Sequence, residues 1–162
     1  MIFFTAIKEI NKGSKFYNYI TKPSKLHKND IIWGITELSK STFDKIKSED
    51  YLLFYNKSTI IGIGKIHKTK TDKNLSAELF GKYEHKYKGI LYWSNLIYLS
   101  KFYSIKIEFD FFINIGDYSP KFSVRKLIGL NQLGSENIIN KHGSFDKFID
   151  DLVKKYGTQQ SV

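Results

Sequence analysis

Cysteine is absent from this 162-residue chain. That excludes disulfides, thiolate zinc sites and cysteine nucleophiles, and a reducing intracellular compartment is the natural setting for such a sequence. Arginine occurs once, at Arg125, alanine twice, and proline only at Pro23 and Pro120. A single arginine argues against groove readout of sequence, because bidentate recognition of guanine edges in a major groove usually uses Arg. With so little proline and no Gly/Ser tract, no linker, repeat or low-complexity segment is visible, and one domain over 1–162 is the simplest organisation. No apolar run approaches the roughly 20 residues of a membrane span. The opening Met1-Ile-Phe-Phe-Thr-Ala-Ile7 turns charged at Lys8, too soon for the apolar region of a signal peptide. A cytoplasmic location with no membrane partner is therefore expected.

A chain of this length buries roughly 70% of the surface it would expose unfolded, so a core is possible without staples. The net charge is +10, distributed as +4 over residues 1–30, +1 over 31–66, +3 over 67–88, 0 over 89–113 and +2 over 114–162. Two segments thus hold most of the excess. Such a balance favours polyanionic partners, since each Lys placed at a phosphate releases a counterion. Abundant Lys, Ile, Asn, Tyr and Phe with little Ala or Arg also follow from AT-rich coding sequence whatever the function, so charge alone leaves both explanations open.

Periodicity predicts strands over 2–7 and 30–35, and a loop over 13–29 with a helical turn near Phe16–Ile20. Ser41-Thr-Phe-Asp44 has the pattern of a helix cap, with Phe43 and Ile46 as the apolar side. Residues 51–55 and 59–68 read as a hairpin around Asn56, Lys57 and Ser58. Asp72 to Phe80 suits a helix capped by Asp72 and stopped by Gly81. Further strands are expected over about 93–102, 104–109 and 121–130. The clearest element is a C-terminal helix. Phe145, Phe148, Ile149, Leu152, Val153 and Tyr156 recur at helical spacing, with Ser144 as cap and Gly157 as end. Together these make an α+β domain, a small, strongly curved mixed sheet or open barrel with flanking helices.

Enzyme motifs are few. Gly62-Ile-Gly64-Lys65 lacks the spacing of a phosphate loop and lies inside a strand pattern, where its glycines permit a bend or close packing. Glu84-His85-Lys86 has the form of half a metal-dependent nuclease site, with Asp72 as the other carboxylate, but its neighbours are Lys82, Tyr83, Tyr87 and Lys88 rather than apolar strand residues. The histidines, His27, His67, His85 and His142, share no metal-ligand spacing. No Gly-x-Ser-x-Gly elbow is present. A chain without catalytic, metal-binding or cofactor-binding residues is therefore expected, with the nuclease as its alternative.

The aromatic residues are more informative. Trp33 ends an apolar strand beside Gly34 and ahead of Thr36, while Trp93 follows Tyr83, Tyr87 and Tyr92 in a Lys- and Gly-rich segment. Both tryptophans suit the core. Aromatics interleaved with lysines equally suit stacking on an unpaired base, each contact being worth roughly 1–3 kcal/mol.

The order Ile2-Phe-Phe-Thr-Ala-Ile-Lys8, Ile31-Ile-Trp-Gly-Ile-Thr36, short helix, Tyr51-Leu-Leu-Phe-Tyr55 and Ile61-Gly-Ile-Gly-Lys-Ile66 resembles the PUA-like superfamily, its EVE and YTH domains above all. The resemblance spans about residues 1–130. It implies that Trp33 forms one wall of an aromatic cage for a modified or flipped base. The second wall then comes from the segment Leu79-Phe-Gly81 through Tyr92-Trp93-Ser-Asn-Leu-Ile-Tyr-Leu99, as Trp93 or Tyr87. A further aromatic found in YTH cages has three counterparts here, Phe80, Tyr83 and Tyr87. With Lys126-Leu-Ile-Gly-Leu130 added, the pattern resembles the N-terminal domains of archaeal McrB-type proteins, the DNA-targeting ends of GTPase subunits in modification-dependent restriction systems. The implied function is non-catalytic. A Lys-rich face (Lys8, Lys65, Lys68, Lys70, Arg125, Lys126) would hold the backbone of DNA, or alternatively RNA. One extruded base, open to a methylated one, would enter a pocket of Trp33 with Trp93 or Tyr87, its edge read near Thr36 and Asn11. The chain would then be a fragment of a longer protein whose motor lies elsewhere.

Overall fold

The computed structural model describes residues 1–7 and 31–161. Lys8, Asn11 and the expected loop and helical turn over 13–29 lie outside the described residues. Five α-helices and a mixed, mostly antiparallel sheet make the fold α+β among the described residues. Two compact units divide it. The first holds residues 1–7, 50–65 and 101–161, and the second 31–49 and 66–100.

In the first unit, β1 (Ile2–Ala6) runs parallel to β3 (Tyr51–Asn56), in register from Ile2↔Tyr51 to Ala6↔Tyr55. Both strands are near-continuous apolar runs, the pattern of strands buried on both faces, and Ile2, Phe3, Phe4, Leu52, Leu53 and Phe54 are all fully buried. The turn Lys57–Ser58 leads from β3 into the antiparallel β4 (Thr59–Thr71). Both turn residues have positive φ, 49° and 66°, as a two-residue hairpin turn requires for its twist to match that of the strands. Strand order in this unit is β7 (Asn95–Glu108), β4, β3, β1, β8 (Ile128–Gly129), with β9 (Gly157–Ser161) on the far part of β7. Among the described residues the order does not close into a ring, so they form no closed barrel. The expected break between 102 and 104 is not found. β7 continues through it because Tyr103 and Ile105 pair with β9. Of the strand expected over 121–130, only Ile128–Gly129 is extended, opposite Phe3 and Phe4.

Three helices build the apolar core of this unit. α3 (Asp110–Gly116) and α4 (Gln132–His142) were not indicated by periodicity, whereas α5 (Phe145–Tyr156) lies where expected. Ser144 caps α5, accepting from the Lys147 amide at 3.1 Å. Phe148, Ile149 and Leu152 join Phe4, Leu53, Phe109 and Phe112 in one buried cluster. Gly157 ends the helix for a reason other than left-handed geometry. Its φ is −62°, and a Cβ there would lie 2.4 Å from the Val153 carbonyl oxygen.

A polar link ties sheet to helix at the border of this core. The Tyr51 hydroxyl donates to the Asp146 carboxylate. Lys65, directly opposite Tyr51 in the β3–β4 ladder, places its Nζ 3.7 Å from the same carboxylate and 5.7 Å from the centre of the Tyr51 ring.

Burial, then the hydrogen bond to Asp146, holds the Tyr51 phenol well above the ordinary tyrosine range. The unfolded chain therefore ionises this group first, at about pH 10. Above that pH the unfolded state binds fewer protons than the native state, so stability falls as pH rises. Urea unfolding monitored between pH 8 and 11 is expected to show this decline, and Tyr51→Phe to flatten it. At pH 8 the variant is expected to be less stable by about 1 kcal/mol, the usual net worth of one hydrogen bond. An identical alkaline slope in the variant would assign the decline to other groups.

Candidate nucleic-acid interface

The second unit contains β2 (Ile31–Ile35), a 3-10 turn (Glu37–Ser39), the short helix α1 (Lys40–Phe43), α2 (Lys73–Phe80), the ribbon β5 (Lys82–His85) with β6 (Gly89–Tyr92), and the near parts of β4 and β7. Ser41 is not the cap expected of it. The preceding 3-10 turn delivers the chain to α1 at Ser39, which makes no side-chain cap. β2 pairs antiparallel with β7, Trp33 opposite Ile97 and Gly34 opposite Leu96. Asp72 starts α2 as expected, its Oδ1 accepting from the Leu75 amide at 2.9 Å. Gly81 stops the helix at φ 73°, a conformation that costs a residue without Cβ least. The helix buries Leu75 against Ile32, Leu96 and Tyr98, and sets Phe80 at the edge of that cluster.

Gly34 is where the aromatic residues meet. A Cβ built on it would fall 2.6 Å from the Trp93 Cβ and 3.0 Å from two atoms of the Phe80 ring. The missing side chain thus seats Trp93 directly on β2. Phe80 also stands edge-on to Trp33, with ring centres 6.5 Å apart. Trp33 is 7% exposed, whereas Trp93 and Phe80 are half-buried. Tyr87 is not brought to this cluster. It stands 81% exposed in the turn of the β5–β6 ribbon, its ring centre 6.2 Å from that of His85. Of the residues open as the additional aromatic, Phe80 is in contact with Trp33 and lies at Gly34.

A polar chain borders the cluster. Asn95, 1% exposed, accepts from the Thr71 hydroxyl at 3.1 Å and donates from Nδ2 to the Thr36 carbonyl at 3.4 Å. Thr36 takes part in this chain through its backbone carbonyl. Asn95 was not singled out from the sequence, although an Asn heading the apolar run Leu96-Ile-Tyr-Leu99 is a signal: buried amides need partners.

The expected backbone-binding cations are divided. Lys68 lies over the Tyr98 ring with Nζ 4.7 Å from its centre. Lys70 pairs with the other carboxylate oxygen of Asp72 at 3.4 Å. Lys65, bound to Asp146, belongs to the first unit, as do Arg125 and Lys126, which are exposed ahead of β8. The Leu75 amide and Lys70 hold Asp72 below the usual carboxylate range, so this carboxylate acts as a helix cap. Its expected nuclease companions, Glu84 on β5 and Lys86 in the turn, are exposed. Among the described residues, no three His, Asp or Glu side chains gather as a metal-binding group. No helix among them is long and apolar enough to cross a membrane.

Gly34→Ala is expected to push Trp93 off its seat. The neighbour that must move is a Cβ anchored to backbone, so stability should fall by about 1–3 kcal/mol, the usual range for overpacking. Tryptophan emission should shift to longer wavelength. Urea unfolding followed by fluorescence measures both, and an unchanged midpoint with unchanged emission would mean that the close approach is easily relieved.

No protein-family model matches the chain, and no curated protein matches it.

Proposed function

We propose that this chain is a non-catalytic DNA-recognition module of PUA-like architecture, which takes one extruded base, methylated in its preferred substrate, against Trp93. Trp33 and Phe80 back that contact, and the Thr36–Asn95–Thr71 chain supplies polar groups beside it. The observation that carries this reading is the approach of the half-buried Trp93 and Phe80 to β2 at Gly34, with Phe80 edge-on to Trp33, in a unit where residues 67–88 hold six lysines against three acidic residues. Unstacking a base costs a few kcal/mol and least when it is modified or unpaired, so a pocket of this kind selects among bases. The resemblance of the strand motifs to DNA-targeting domains of modification-dependent restriction systems supports the same reading, with motor and nuclease supplied elsewhere.

Binding to matched oligonucleotides, with and without methylated adenine or cytosine and at two salt concentrations, tests it. One modified base is expected to bind more tightly, with a preference that survives added salt. Trp93→Ala is expected to weaken that complex by roughly 5- to 150-fold, the range spanned by one stacked base, and to leave weak, salt-sensitive binding behind. Uniform salt-sensitive binding by the unaltered protein would overturn the proposal. A preference for matched RNA would transfer the module to RNA, the 2′-hydroxyl being the systematic difference.

A further inference from the structure

The β5–β6 ribbon is a separate two-stranded sheet, paired in register from Lys82↔Tyr92 to His85↔Gly89. One of its faces is anchored, because Leu91 on β6 is buried. Its free end is the three-residue turn Lys86-Tyr87-Lys88, followed by Gly89 at φ 75°. A three-residue hairpin loop closed by a left-handed residue needs glycine at that place. The turn is also pinned from inside. Nδ1 of His85 accepts from the amides of both Tyr87 and Lys88, each at 3.1 Å.

A loop held in this way sets the backbone from which its side chains project. What it presents is a tyrosine ring, by far the most exposed large aromatic among the described residues, between two lysines. Lys86 Nζ lies 5.3 Å from the centre of that ring. Lys82 adds a third cation to the ribbon, and Glu84 is its only acid. An exposed ring between cations is matched to a partner with flat faces and a negatively charged backbone. An intact duplex hides its base faces in the stack, whereas a single strand offers them.

We propose that the Lys86-Tyr87-Lys88 turn is a second nucleic-acid contact, in which Tyr87 stacks on an unpaired base and the two lysines lie at flanking phosphates. This rests on the reading that the chain binds nucleic acid, and it assigns the turn to unpaired strand. β6 leads through Tyr92 directly to Trp93, so the ribbon and the aromatic seat are consecutive in the chain.

Anisotropy of a labelled oligothymidine strand, and of a duplex of equal length, tests this with the whole chain. The single strand is expected to bind more tightly. Tyr87→Ala should weaken it roughly 5- to 150-fold without changing the salt slope, and Tyr87→Phe should bind as the unaltered protein does. Lys86→Gln with Lys88→Gln should lower the slope of log K against log salt by about 1.4, two contacts at about 0.7 each on a single strand. The high exposure of Tyr87 makes misfolding of its variants a poor explanation for any loss, and unchanged unfolding midpoints verify that. Single-strand binding by Tyr87→Ala equal to that of the unaltered protein overturns the inference. If Trp93→Ala then loses its modified-base preference, the pocket stands without the turn. If Tyr87→Ala weakens binding while Trp93→Ala changes nothing, the turn stands without the pocket. An unaltered protein that binds neither oligonucleotide sinks both.

Discussion

Parallel pairing of β1 with β3 is the constraint from which the chain's organisation follows. Two strands that are neighbours in a ladder and run the same way cannot be joined by a tight turn; they need a crossover of a dozen residues or more. Here the crossover is residues 7–50, and it carries β2 and α1, which belong to the second unit. The chain leaves the first unit again along β4, contributes residues 66–100 to the second, and returns along β7. Each unit is therefore assembled from separated segments. The same strand pair also dictates the helices of the first unit. With Ile2, Phe4 and Leu53 on one face, an apolar cover is required, and Phe112, Phe148, Ile149 and Leu152 provide it. Tyr51, at the start of β3, meets that cover with a hydroxyl, and the Asp146 carboxylate satisfies it.

Elements whose stability is local were legible in the sequence. α5 has an apolar stripe, a serine cap and a stop; α2 has its aspartate cap and Gly81; the β3–β4 hairpin has apolar runs around two turn residues. Elements that exist because of distant contacts were not. α4 buries only Gly134 and Ile138, too little for a periodic signal. Its cap, Asn131, is fixed from outside by bonds to the Gly116 carbonyl at 2.7 Å and the Tyr118 hydroxyl at 2.9 Å. α3 follows β7 within one apolar stretch, where strand and helix cannot be told apart by composition. Interleaving removed the remaining clue, because a unit boundary crossed in mid-strand leaves no linker to read.

The candidate site shows the same division. Trp33 and Trp93 stand out in a sequence with two tryptophans, but the approach of Trp93 to β2 depends on Gly34, and the contact of Trp33 with Phe80 on where α2 ends, which a motif does not reveal. Positive charge was legible as a sum, whereas the partners of single lysines were not. Lys65 is drawn to Asp146 and Lys70 to Asp72, partners that a count of charges along the chain does not pair. Asn95 was overlooked because its importance comes from burial, which converts an ordinary amide into an obligatory hydrogen-bonding group.

A recognition surface gains most from groups that need no further ordering when the partner arrives, since each mobile side chain fixed on binding costs about 0.5–1.5 kcal/mol. Trp93 meets that condition through a missing side chain, resting on Gly34 with Phe80 beside it. At Tyr87 the backbone is what is ordered beforehand, its turn held by His85 Nδ1 and by the left-handed Gly89. Lys86 and Lys88 project from the same held backbone, which suits phosphates, whose attraction needs proximity more than exact geometry. On the proposed reading, a held backbone places both the ring that must match a flat base and the ammonium groups that need only meet charge.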